Sequence, residues 1–90
     1  MGVKVHIHKI HRQFTEGLST VEVEGRTVGE CLDNLVKKYP GMKKALFKED
    51  KRLANNIEIY VNMASAYPNE LEKQVNDGDE IHLVVMLAGG

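Results

Sequence analysis

Asn76-Asp77-Gly78-Asp79-Glu80-Ile81-His82-Leu83-Val84-Val85-Met86-Leu87-Ala88-Gly89-Gly90 closes the chain and reads as a turn, a strand and a tail. Asn and Asp side chains bond their own backbone and Gly reaches positive φ, so Asn76 to Asp79 forms a tight turn. Behind it Ile81, Leu83, Val85 and Leu87 fall at every second position, the period of a strand with one face in a core. Val84 and Met86 make the other face apolar over the second half. The strand is therefore expected to be central in its sheet, or to meet a partner with its outer face. Glycines that bury no side chain do not offset the ~1–2 kcal/mol it costs to order a residue. Residues 88–90 are accordingly expected as a flexible tail on a folded domain spanning residues 1–87.

Working back from that end, Ile57, Ile59 and Val61 alternate with Glu58 and Tyr60 as another strand ending at Asn62. Ala64 to Tyr67 offers a short edge strand before Pro68, whose missing N–H interrupts a ladder. Thr27 with Glu30 fits a capping box, and Val28, Leu32, Leu35, Val36 and Tyr39 then share one helical face opposite Asp33, Asn34, Lys37 and Lys38. Pro40-Gly41 stops this helix, and Lys37 and Lys38 suit the negative end of its dipole. Met42 to Phe47 allows one more helical turn, and Lys48 to Asn56 reads as a polar loop. Val3, Val5 and Ile7 alternate with Lys4, His6 and His8 as the first strand. Val21 and Val23 alternate with Glu22 and Glu24 as the second, and the polar stretch His11 to Gly17 lies between them. The core is expected to contain Val5, Ile7, Val23, Leu32, Leu35, Val36, Ile59, Val61, Leu83 and Val85. This order gives an α+β fold, a mixed sheet of four to five strands on one main helix.

The 90 residues suffice for one small domain, with 42% apolar and 28% charged residues, near the average for globular chains. Twelve Lys plus Arg against thirteen Asp plus Glu leave a net charge of -1, so nothing resembles the basic field that binds a phosphate backbone, and no nucleic acid partner is expected. The longest apolar run, Leu83 to Ala88, is far shorter than the ~20 residues of a membrane span. A lone cysteine, Cys31, forms no internal disulfide, and Met1-Gly2-Val3-Lys4 leads into alternation instead of an apolar signal region, which predicts a cytoplasmic protein. No Ser-His-Asp order, Walker lysine loop or carboxylate pair marks an active site of its own.

The turn Asp77-Gly78-Asp79-Glu80, the last strand, the closing Leu87-Ala88-Gly89-Gly90 and the element order together resemble the ubiquitin-like β-grasp sulfur carriers, the MoaD/ThiS-like group. Within that group the chain looks most like the small subunit of molybdopterin synthase. Val23-Glu24-Gly25-Arg26-Thr27-Val28-Gly29-Glu30, Lys38-Tyr39-Pro40-Gly41 and Ile59-Tyr60-Val61-Asn62 carry the resemblance through most of the chain. It departs from the molybdopterin carriers at Lys9 to Phe14, where an aromatic-alanine and Leu-Arg pattern is usual, and at Val85-Met86-Leu87, where Pro-Pro-Val is common. Met63 also replaces the glycine usual after Val-Asn. The thiamine-pathway carriers are typically shorter and lack a loop like Lys48 to Asn56.

The resemblance implies a carrier whose Gly90 carboxylate is joined to AMP by an adenylating enzyme that uses ATP and magnesium; the chain itself binds no cofactor. Sulfur then replaces AMP, and the thiocarboxylate is delivered to a synthase subunit. An alternative is a protein modifier, in which the activated Gly90 is transferred to lysines of target proteins. A third reading is an interaction domain with an inert tail. Ala88, Gly89 and Gly90 would thread the partner's channel: without a Cβ, Gly89 and Gly90 pass where other residues would not. Extended, Leu87 to Gly90 reach at most ~13–14 Å. Tyr60, His82, Val84 and Met86 are expected on the outer sheet face, where ubiquitin-like proteins dock their partners.

Two further groups stand out. In a β-grasp fold the first and last strands are parallel neighbours, which brings His6 and His8 toward His82. A three-histidine metal site is conceivable, but no carboxylate or cysteine stands at supporting spacing, and exposed, uncommitted histidines with no metal are expected. Cys31 lies in the first turns of the helix, where the dipole lowers a thiol pKa. Its spacing from Val28 and Leu35 instead marks a half-buried structural residue at the edge of the apolar face.

Overall fold

A computed structural model describes residues 2–86 of the chain. The domain boundary at residue 87 and the tail 88–90 lie outside the described residues. Strands β1 (Val3–His6) and β2 (Thr20–Val23) form an antiparallel hairpin, followed by α1 (Val28–Lys38) and the short α2 (Met42–Leu46). Strands β3 (Ile57–Val61), β4 (Ala64–Ser65) and β5 (Glu80–Val85) complete one five-stranded sheet ordered β2-β1-β5-β3-β4. β5 runs parallel to β1 and antiparallel to β3. It is a central strand whose inward residues Ile81, Leu83 and Val85 are buried, whereas Val84 is only partly buried and Met86 is exposed, so its outer apolar residues stand on the uncovered face.

One face of the sheet packs on the helices. Val3, Val5, Ile59, Ile81, Leu83 and Val85 meet Val28, Leu32, Leu35, Met42 and Leu46 in a single core. Every core residue expected from the sequence is buried except Val36, which is only partly buried and packs at the margin. Cys31 is more deeply placed than expected, fully buried among its neighbours.

The cap of α1 follows from Thr27 and Glu30. Thr27 Oγ1 accepts from the Glu30 N–H at 3.1 Å, while the Glu30 carboxylate reaches past the cap to accept from the Arg26 N–H at 2.9 Å. The two glycines of this segment are required by close approach. A Cβ on Gly25 would stand 2.7 Å from Cys31 Sγ, and one on Gly29 would stand 2.9 Å from the Leu71 carbonyl oxygen.

Part of the polar stretch expected between β1 and β2 is helical. Lys9–Phe14 forms a 3₁₀ helix in which His8 Nδ1 caps the Ile10 N–H at 3.1 Å. His11 in this helix and Thr15 just after it are buried, whereas Ile10 and Phe14 are exposed. Thr15 donates to the Leu18 carbonyl at 2.9 Å, whereas His11 Nδ1 finds no protein partner among the described residues. Burial, with His8 nearby, lowers the His11 pKa, because desolvation disfavours the charged imidazole.

β3 and β4 are joined by a two-residue turn, Val61 pairing with Ala64. Both turn residues have positive φ, +50° at Asn62 and +72° at Met63, the backbone of a type I′ turn for which Asn-Gly is the preferred pair. The glycine usual at position 63 therefore has a steric reason, and Met63 holds the same conformation with its side chain 77% exposed. Met63→Gly relieves the left-handed strain but adds freedom to the unfolded chain. The net result expected is a stabilisation of up to about 1 kcal/mol, seen as a higher denaturant midpoint with no change in slope.

Candidate functional site: the outer sheet face and the exit toward the C-terminus

The sheet face turned away from the helices collects the residues that the alternating strands do not bury. Tyr60 pairs across from His82, and Glu58 across from Val84. On the other side of β5, His6 pairs with His82 and Lys4 with Glu80. Tyr60, His82 and Val84 thus lie together as expected, and Met86, 45% exposed, follows in the same alternation. The Met86 N–H donates to the Asn56 carbonyl at 2.7 Å, so the residue just before β3 holds the chain up to the last described residue. Gly89 and Gly90, and with them Ala88, lie outside the described residues.

The start of β5 is fixed to the β3–β4 turn. Asn62 donates to Asp79 Oδ1 at 3.0 Å and accepts from the Glu80 N–H at 3.0 Å, and Asp79 Oδ2 accepts from the Asn76 N–H at 2.8 Å. These bonds, the one from Asn62 foremost, hold the Asp79 carboxyl below the usual carboxylate range. The Val61-Asn62 and Asp77-Gly78-Asp79-Glu80 segments are therefore one physical unit: it sets where β5 begins and hence its register toward the C-terminus.

The histidines are arranged otherwise than the sequence suggested. His8 is occupied as the cap of the 3₁₀ helix. His6 and His82 stack with ring centroids 4.1 Å apart and planes within 2°. His6 Nε2 donates to Glu80 Oε1 at 2.6 Å, and that bond, ahead of the neighbouring positive groups, lowers the Glu80 pKa. Partial burial and the adjacent His6 lower that of His82. A carboxylate does stand with the histidine pair, contrary to expectation. Glu80 and His82, two residues apart on one strand, share a face, and the parallel pairing of β1 carries His6 to them.

Cys31 is no nucleophile. Burial first, then the nearby carboxylates Glu30 and Glu24, push its thiol up to about 11, which keeps it protonated at neutral pH despite its place near the start of α1. Two surface concavities, one lined by Gly25, Arg26, Gln74 and Asp77 and the other by Lys4, Glu22, Gly78 and Glu80, open broadly to solvent. No helix is long and apolar enough to cross a membrane among the described residues.

One main helix packed on a mixed sheet, with the first and last strands parallel at its centre, is the ubiquitin-like β-grasp arrangement. The model of the ThiS family matches residues 5–90, and the chain belongs to that family of β-grasp sulfur carriers. It is similar to the sulfur carrier protein CysO of Mycobacterium tuberculosis, 30% identical over 93 aligned positions that cover 100% of both chains. Among solved structures it resembles that of the Amycolatopsis orientalis BexX/CysO complex, with 37% identity, 99% and 100% coverage and a TM-score of 0.89. It also resembles the small archaeal modifier protein 1 of Methanosarcina acetivorans, with 27% identity, 98% and 95% coverage and a TM-score of 0.85. The chain is a sulfur carrier protein and not an enzyme.

Proposed function

We propose that the carboxylate of Gly90 is the group that carries sulfur. An activating enzyme using ATP and magnesium joins it to AMP with release of pyrophosphate. A sulfur nucleophile then displaces AMP, and the resulting thiocarboxylate passes its sulfur to a biosynthetic acceptor enzyme. The family match supports this most directly, because it extends through the tail to residue 90. A carboxylate needs such activation because its two oxygens share the charge and neither is a good leaving group. The folded body docks through Tyr60, His82, Val84 and Met86 while Ala88-Gly89-Gly90 enters the partner. That a CysO was crystallised in complex with BexX supports docking of this kind.

The chain, incubated with its activating enzyme, ATP, magnesium and a sulfur source, is expected to gain the mass difference between sulfur and oxygen on its C-terminal peptide. An unchanged mass with an activator that is demonstrably active on ATP overturns the carrier mechanism. Molybdopterin assembly is the acceptor pathway that the resemblance to the small synthase subunit favours. Transfer from the thiocarboxylated chain to a large molybdopterin synthase subunit and its precursor tests it, and failure there leaves the carrier chemistry standing. Likeness to a small archaeal modifier protein favours a second use of the same activated tail, on lysines of target proteins. Branched lysine peptides bearing the Ala88-Gly89-Gly90 remnant would establish it, and their absence from cells expressing the chain would remove it.

A further inference from the structure

His6, Glu80 and His82 present their ligand atoms within 4.8 Å of one another on the outer sheet face. We propose that they form a binding site for a divalent transition ion of the zinc type. The backbone dictates this placement. Parallel pairing sets His6 level with His82, and the two-residue period of β5 puts Glu80 on the same face. The donor set decides the class of ion: two imidazoles and one carboxylate suit zinc and its borderline neighbours, whereas magnesium and calcium take oxygen ligands. Three protein ligands leave a coordination position open to water or to a group from a docked molecule.

The groups are free to serve. The ring nitrogens of His82 make no hydrogen bond among the described residues, and the hydrogen bonds of the His6 ring and the Glu80 carboxylate within that set are to each other. Both of these side chains keep solvent access, 30% for His6 and 45% for Glu80. Small rotations would complete the site. An ion lies near the plane of each imidazole that binds it, so at least one ring turns out of the present 4.1 Å stack. Ligands about 2.0–2.2 Å from a tetrahedral zinc stand about 3.3–3.6 Å apart, so the 2.6 Å contact between His6 and Glu80 must open. Lys4, the neighbour of Glu80 on β1, is the opposing positive charge. It is exposed and long enough to swing away.

Zinc binding is read directly and does not require activation of Gly90, although His82 also lies on the proposed docking face, and its test uses the full chain without a histidine tag. Metal-free protein is titrated with zinc chloride by calorimetry, and the imidazole nitrogens are followed by NMR. One ion per chain is expected, with His6 and His82 nitrogens shifting and those of His8 and His11 unmoved; magnesium chloride in place of zinc should give no shift. His82→Ala and Glu80→Gln should each weaken binding by at least the ~10–100-fold that loss of an outer-shell partner costs a metal site, with amide spectra showing both variants folded. Glu80→Gln keeps the size and one oxygen of the side chain, so it carries the test if His82→Ala does not fold. No saturable zinc binding, equal binding by the variants, or shifts at His8 or His11 instead would overturn the proposal.

Discussion

Deleting Gly89 and Gly90 is expected to reduce ATP–pyrophosphate exchange with the activating enzyme to background while leaving the denaturant midpoint of the chain nearly unchanged. The loss of exchange follows from reach and shape. The deletion moves the terminal carboxylate back by at most about 7 Å of extended chain. It also places that carboxylate on Ala88, whose Cβ narrows the set of backbone angles and the channel through which the acyl group can approach a nucleotide. The unchanged midpoint follows from where the core lies: its buried apolar residues run from Val3 to Val85. Two glycines add no side chain to it, so the change in unfolding free energy should stay within the ~0.5 kcal/mol of ordinary surface substitutions. Exchange that survives the deletion would mean that Gly90 is not the activated group. A midpoint that falls by several times that amount would mean that the terminal glycines belong to the folded body.

The strands and the main helix were readable because local pattern and burial agree. Ile57, Ile59 and Val61, like Ile81, Leu83 and Val85, alternate in sequence and are buried in alternation, and Thr27 and Glu30 cap a helix whose apolar face is the buried one. Reading failed where polar residues point inward. Lys9 to Phe14 has no apolar period, and its 3₁₀ helix rests on buried His11 and Thr15 with Ile10 and Phe14 outside, the reverse of the usual partition. The outer face was legible as a set, since Tyr60, His82, Val84 and Met86 follow from strand parity alone. The partnership of His6 with Glu80 was not, because it spans 74 positions of sequence and depends on the register of two parallel strands. Parity shows that a residue faces outward, and only pairing shows what stands beside it. Position 63 is a third case: the sequence shows only that Met63 stands where glycine is usual, and the backbone, at φ +72°, supplies the reason.

Leu35→Ala should have the opposite effect to the tail deletion. Leu35 lies mid-helix on α1 and is 0% exposed, in the same cluster as Leu32, Cys31 and the inward residues of the central strands. Truncation removes buried methyl groups and leaves a cavity that the surrounding sheet and helix fill only partly, a change that costs ~2–5 kcal/mol in comparable cores. A domain of this size has about 5–15 kcal/mol of total stability, so the denaturant midpoint should fall by a large fraction of its value. The tail and the outer face are untouched by the substitution, and the molecules that remain folded should be adenylated at the normal rate per folded chain. Exchange measured below the unfolding transition, and normalised to the folded fraction read by circular dichroism, separates the two quantities. An unchanged midpoint would show that α1 does not pack on the sheet through Leu35. Lost exchange in fully folded protein would show that the helix face takes part in presenting Gly90, and the separation of body from tail would then have to be abandoned.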